Sequence, residues 1–421
     1  MRILHTSDWH LGRDLEGLSR LDEQKAFVDE LVAHADAERV DLVLVAGDGF
    51  QSYNPAAAAE ALFYDALDRL SAGGRRAVVA IAGNHCSPER FTAASPLART
   101  HGIALFGYPS DEPVLDQEGA GADRVRFVAG GPSWVEVAVP GCPAHAVVLA
   151  LAYPSEARLL LAPDGEEAES QVNYADQVRR IFAGLEGHFR ADTVNVAMSH
   201  LFLAGGQPSD SEQEIQVGGA YSVPPDALPA TAQYVALGHL HRPQAAGGLP
   251  HVRYSGSPLA YSFSEAGQAK SVVLVDLEPG EEARIREIPI TCGRPLRLWR
   301  AASVEQVLEW CAQGKDEGAF IDLEVQVAEH PAPGQVQAIK ALRDFVYIRP
   351  VLPEAAGAGA DGVRETLSER ERLQRFFRLK NQGREVAEEL VDLCQLLLQE
   401  ARTGAEPEAE AEVAAAGEES R

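Results

Sequence analysis

The chain is 421 residues long, enough for two or three domains at roughly 150 residues each, and its 46% apolar content excludes wholesale disorder. No apolar run approaches the roughly 20 residues of a membrane span. The opening residues Met1 to Asp8 lack the apolar core of a signal peptide, so a cytoplasmic location is expected. The net charge of −26, with −5 of it from the six Glu and one Arg of residues 403–421, opposes nucleic-acid binding by this surface alone. Bound metal ions, arginine clusters or a partner would have to supply the positive field that phosphates need.

Short apolar runs spaced along the first 290 residues read as buried strands separated by helices. Residues 3–6 are the first strand, followed by a helix over 24–38, a strand over 40–46, an Ala-rich helix over 56–70 and a strand over 77–82. Strands over 147–151, 194–199, 234–237 and 271–277 continue the series, and the alternation predicts one α/β domain with a large sheet core over 1–290. Pro279-Gly280-Glu281-Glu282 is a turn, and a second unit begins near 288–291. A small α+β domain over 291–352 holds a helix over 304–313, a strand over 321–327 and a helix over 336–345. Residues 353–367 form a linker, opening with an Ala, Gly and Pro-rich stretch. Helices follow over 368–402, where Leu373, Phe376, Phe377, Leu379, Val386, Leu390, Leu393 and Leu397 recur at helical spacing. The tail, 403–421, is expected to be disordered. Five scattered cysteines with no Cys-x-x-Cys pair exclude a disulfide framework and a cysteine-based zinc ribbon.

Five of the expected strands run into candidate metal ligands. The first reaches Asp8-Trp9-His10, the second Gly47-Asp48, the third Gly83-Asn84-His85, the fourth His200 and the fifth Gly238-His239-Leu240-His241. Sites in open α/β sheets gather beyond the carboxyl ends of strands, so these loops are expected to converge. Carboxylate and imidazole donors without thiolates suit Mn²⁺, Fe²⁺ or Zn²⁺ rather than Ca²⁺ or a structural zinc. With the amide oxygen of Asn84, seven ligands are too many for one catalytic ion that keeps an open position, and enough for two ions sharing a carboxylate. A pair of that kind acidifies a water and neutralises charge on a phosphate. Glycines 47, 83 and 238 permit tight turns beside the ions. Each fragment alone has an ordinary reading as a turn or helix cap; their succession at strand ends is what points to a metal centre.

That succession resembles the signature of the calcineurin-like metallophosphoesterases. More narrowly, His5 through Gly12, Ser52-Tyr53-Asn54-Pro55, Ser209-Asp210-Ser211-Glu212, Val217-Gly218-Gly219, Gly238 through Gln244 and Tyr254 through Glu265 resemble the nuclease subunits of bacterial SbcCD complexes, with the match strongest over residues 1 to about 290. The resemblance implies a two-sheet sandwich flanked by helices, a small α+β cap that recognises DNA, and C-terminal helices. It implies that Asp8, His10, Asp48 and His241 hold one ion, that Asp48, Asn84, His200 and His239 hold the other, and that both are Mn²⁺, with Mg²⁺, Fe²⁺ or Zn²⁺ as substitutes. His85 would stabilise the transition state or protonate the leaving 3′ oxygen. Two positions depart from the pattern. Gln51 stands where the family carries Asp or His, and Cys86 where it carries the Asp that would orient His85 or its loop, so ligation is expected to be intact and the rate to be affected. Arg90, Arg99 and Arg242 follow the metal loops and are candidate phosphate contacts, or ordinary surface arginines.

The resemblance further implies a DNA nuclease, exonucleolytic on duplex ends and endonucleolytic on hairpins or single strands. It would work as a homodimer within a heterotetramer whose partner, an SbcC-like ABC ATPase, is gripped by residues 368–402. A phosphoesterase of small substrates and a catalytically impaired scaffold for DNA ends are the alternatives.

Overall fold

The structure, a computed structural model, describes residues 1–116, 123–159, 174–212, 222–329 and 333–352, together with Val391. Met1–Pro353 form one compact unit and Glu354–Arg421 another. The linker, helices and acidic tail expected beyond residue 352 lie outside the described residues, Val391 apart.

Within the first unit, parallel strands β1 (Arg2–Thr6), β2 (Leu42–Ala46), β3 (Ala77–Ile81) and β4 (Ile103–Phe106) begin one sheet. A second sheet is built from β5 (Arg126–Gly131), β6 (Trp134–Ala138), β7 (Ala146–Leu151), β8 (Val194–His200), β9 (Tyr234–Gly238), β10 (Gln244–Ala246) and β11 (Leu249–Tyr254). The chain then returns to the first sheet as β12 (Lys270–Asp276), antiparallel to β1, and β13 (Arg284–Ile290). The orders are β13-β12-β1-β2-β3-β4 and β10-β11-β9-β8-β7-β6-β5.

Strand alternation explains why these segments read as unbroken apolar runs. Leu42, Leu44 and Ala46 face the second sheet and pack in one cluster with Val148, Val196, Met198 and Ala236. Their neighbours Val43 and Val45 face outward, onto Phe27 and Leu31 of the helix Leu21–Ala37 and Phe63 and Leu67 of the helix Ala57–Ser71. Val147, Leu149, Val235 and Leu237 likewise pack outward on Val178 and Phe182 of the helix Tyr174–Leu185. Because β1, β2 and β3 run parallel, as do β8 and β9, their carboxyl ends open on shared edges.

A third sheet of parallel strands β14 (Leu296–Ala301), β15 (Phe320–Gln326) and β16 (Phe345–Val351) carries the helices Val304–Ala312 and Pro333–Lys340 in its crossovers. Two expectations change here. Residues 288–290 do not begin a new unit: Ile288 and Ile290 pair with Val272 and Lys270 as the end of β13. The helix expected over 336–345 stops at Lys340, and Phe345 opens a strand.

Candidate dinuclear metal centre

The loops after β1, β2, β3, β8 and β9 meet at one edge of the sandwich. Their backbone is held in a conformation that residues other than Gly seldom adopt: φ is +54° at Asp8, +45° at His10, +47° at Asp48 and +105° at His239. Such positions cost on the order of 1–3 kcal/mol each and persist only where the surroundings over-determine them. Main-chain bonds do so, with Asp8 N donating to Gly47 O (3.1 Å), His10 N to Asp48 O (2.9 Å) and Leu11 N to Gly49 O (3.0 Å). Glycine is required beside them: a Cβ on Gly83 would lie 2.1 Å from Asp48 Oδ1, and one on Gly47 would lie 2.1 Å from His200 Nδ1.

The seven expected ligands and His85 are brought together. Donor atoms of Asp8, His10 and His241, of His10, Asp48 and His85, and of Asp8, Asp48 and His200 each lie within 4.8 Å of one another. Asp48 is central, with Oδ2 3.3 Å from His200 Nε2, 3.8 Å from His10 Nε2 and 4.0 Å from His85 Nε2. Asn84 Oδ1 is 2.9 Å from His200 Nε2, and the His239 ring centroid is 5.4 Å from that of His200. Asp8, His10, Asp48, His200 and His241 are at most 2% exposed.

Hydrogen bonding fixes which ring nitrogens face the cluster. His200 Nδ1 lies 3.0 Å from Ala46 O and His85 Nδ1 2.8 Å from Gln51 O. A carbonyl only accepts, so Nδ1 carries a proton in both rings and Nε2 is the nitrogen that faces the cluster. The Nε2 atoms of His10 and His241 stand 2.9 Å apart, and His10 Nδ1 is buried without a partner. Two nitrogens about 2.1 Å from one ion and at right angles to each other stand about 3.0 Å apart, so the pair suits a shared cation.

Electrostatics agree with that requirement. Burial pushes the Asp8 carboxyl up to about 7, with Asp48 adding to the effect and His200 opposing it. Burial opposes ionisation of Asp48 as well, but His200 outweighs it and holds this carboxyl well below the usual range; His200 is itself raised, because Asp48 outweighs the burial that would lower it. Burial lowers His239 to about 3, helped by His200, and holds His10 and His241 well below the ordinary imidazole value. The neutral imidazoles of His10, His239 and His241 and the buried carboxylates are donors that a divalent ion takes up and whose burial it compensates. A bound ion would take the place of the proton that Asp48 favours on His200.

Other expected residues fall differently. Gln51 holds His85 through its main-chain carbonyl, while its side-chain Oε1 is buried without a partner. Cys86 is fully buried beside Phe50, Phe63 and Phe91, its thiol pushed up to about 12 by burial. Arg90 pairs with Glu60 (2.9 Å) and Arg99 with Asp116 (3.6 Å), so both have acidic neighbours; Arg242 is exposed next to His241.

Sequence reasoning missed Arg158. Its buried guanidinium donates to Gly83 O (3.0 Å), Cys86 O (2.8 Å) and Tyr53 Oη (3.0 Å), clamping the loop that carries Asn84 and His85. Nothing in its local sequence marks it, because its partners are main-chain carbonyls more than 70 residues away. Also missed were Glu265 and Lys270, an ion pair buried behind His241.

A family model described as calcineurin-like phosphoesterase matches residues 1–243. A Bacillus subtilis (strain 168) protein, the SbcD subunit of the nuclease SbcCD, is 44% identical over 398 residues, covering 93% of this chain and 96% of its own. The SbcD subunits of Rhodobacter capsulatus and Escherichia coli (strain K12) are 37% identical over 365 residues and 30% over 388; they cover 83% and 88% of this chain and 86% and 90% of theirs. Among the described residues, no helix is long and apolar enough to cross a membrane.

Proposed function

The chain belongs to the calcineurin-like phosphoesterases and, within them, to the SbcD family of nuclease subunits, a metal-dependent phosphodiesterase by that membership; from this premise we propose a Mn²⁺-dependent DNA nuclease that works beside an SbcC-like ABC ATPase. Asp8, His10, Asp48 and His241 would hold one ion, and Asp48, Asn84, His200 and His239 the other. When bound, two such ions supply an acidified water and positive charge against the phosphate. The observation that carries this reading is the convergence of imidazole nitrogens on the Asp48 carboxylate, with two of them, on His10 and His241, 2.9 Å apart.

The chain's own groups do the rest. Ala46 O and Gln51 O pin the Nδ1 protons of His200 and His85, so both rings arrive oriented and lose little freedom when substrate binds. His85, half-buried and with Nε2 facing the cluster, is placed to hold the proton that the departing 3′ oxygen takes up. Arg158 keeps the Asn84–His85 loop in register, which supports function despite the cysteine at position 86. Arg242 is the arginine best exposed for a backbone phosphate. The acidic balance of the chain assigns most of the DNA-binding charge to the ATPase, which residues 368–402 would grip in a heterotetramer built on a homodimer.

Full-length protein with Mn²⁺ and the ATPase should degrade linear duplex DNA, and alone should hydrolyse bis-p-nitrophenyl phosphate faster than the monoester. EDTA or His85→Ala should abolish DNA cleavage; cleavage that survives EDTA would overturn the metal mechanism, and cleavage that survives His85→Ala would remove that residue's role.

A further inference from the structure

Residues 209–212 are fastened to the metal centre at one ligand. Ser211 Oγ lies 2.5 Å from His241 Nδ1 and 2.7 Å from Glu265 Oε1, and Glu265 pairs with the buried Lys270 ammonium. Lys270 Nζ also donates to His241 O (2.9 Å), and His241 N donates to Glu212 Oε1 (2.7 Å). A carboxylate engaged by an ammonium only accepts, so the single Ser211 proton goes to Glu265. The hydroxyl oxygen then accepts from His241, which places that ring's proton on Nδ1 and its lone pair on Nε2, facing His10.

The anchor differs in kind from those of the neighbouring rings. His200 and His85 rest on main-chain carbonyls, whereas His241 rests on a side chain from a segment 30 residues away. Ser211 is 5% exposed, and Arg13 Nη2 holds its carbonyl at 2.8 Å. Removing the hydroxyl would leave Nδ1 without its acceptor and free the ring to turn or to change tautomer, while His200, Asn84 and His239 keep their contacts.

We infer that Ser211, backed by Glu265 and Lys270, is a positioning residue that sets the tautomer and orientation of His241 and so tunes one of the two ion positions selectively. This rests on the two-ion reading proposed above. A partner of a ligating histidine typically contributes 10- to 100-fold in metal affinity, and here the effect falls on the position served by Asp8, His10 and His241.

Calorimetric titration of metal-stripped, full-length protein with Mn²⁺ tests it. The wild type should bind two equivalents. In Ser211→Ala one equivalent should weaken about 10- to 100-fold and the other stay within about twofold. Ser264→Ala loosens the same segment by removing the acceptor of Asp210 N, without touching His241, and should titrate as wild type. Two unchanged equivalents in Ser211→Ala, equal weakening of both, or a matching loss in Ser264→Ala would overturn the inference. Fewer than two equivalents in the wild type would instead sink the functional reading beneath it. Nitrogen-15 spectra of histidine-labelled, metal-free wild type give a reading independent of any variant's folding. They should show His241 protonated at Nδ1; protonation at Nε2 would overturn the assignment.

Discussion

The metal edge of the sandwich and the three-stranded sheet of β14, β15 and β16 are built by the same parallel strand-helix-strand rules and are organised in opposite ways. At the edge, carboxylates and imidazoles are buried and the backbone is bent into left-handed conformations. The small sheet instead encloses Trp299, Val307, Ile321, Leu323 and Phe345, with Arg300 largely exposed. One region is held in place by its surroundings and carries the candidate ligands; the other is held by its own apolar core. Substitutions should therefore separate activity from stability, in opposite directions for the two regions.

The largest expected effect belongs to Asp8→Asn. Loss of the ligand charge should lower hydrolysis of bis-p-nitrophenyl phosphate by about 10²- to 10³-fold, the scale seen when a group stabilising developing charge is removed. The sign for stability is the reverse of the usual. Burial raises the folded carboxyl to about 7, so above that pH its ionisation opposes folding. Metal-free Asp8→Asn at pH 8 should accordingly melt no lower than metal-free wild type; a clear drop would mean that the edge is a stabilising network after all.

Trp299→Ala probes the other region. This side chain is 2% exposed, and its removal should cost about 3–5 kcal/mol, read as a lower melting transition, with bis-p-nitrophenyl phosphate hydrolysis within about twofold of wild type at 20 °C. Between the two lies Arg158→Ala, which strands two carbonyls of the Gly83–Cys86 loop. It should lower activity about 10- to 100-fold and stability by about 1–3 kcal/mol, moving both readouts where the other two variants move one.

The same contrast governs how much of the molecule is legible in the sequence. Ligands at strand ends are legible because a buried parallel strand writes itself as an apolar run, and the polar residue that breaks the run is the one at the edge. All seven expected ligands stand there. The strands β5, β10 and β11 are not legible: Gly130 and Gly131, a three-residue span, and Pro250 with half-exposed neighbours leave no clear period. β16 is hidden by Arg349 and Pro350, and its start merges with the preceding helical pattern. At the site, donor types are legible and their supports are not, since Arg158, Ser211, Glu265 and Lys270 act across 29 to 75 residues through contacts that only folding creates.

The smallest effect sharpens the comparison from inside the sandwich. His5 sits three residues before Asp8, fully buried, with Nδ1 2.8 Å from Tyr234 Oη and Nε2 without a partner. Burial lowers its imidazole to about 3. Between about 6.5 and 3 the unfolded chain therefore binds a proton that the folded chain refuses. The stability this represents is complete above pH 6.5 and is lost as pH falls, by about 1.4 kcal/mol for each pH unit. A histidine that ligates an ion would escape this penalty for as long as the ion stays, and His5 lies outside the clusters of candidate ligands. Denaturant midpoints of Mn²⁺-loaded protein at pH 6.5 and 5.5 should thus differ by about 1 kcal/mol more in wild type than in His5→Gln. Equal slopes in the two proteins would show that His5 does not carry the acid sensitivity, and would place it at the metal edge.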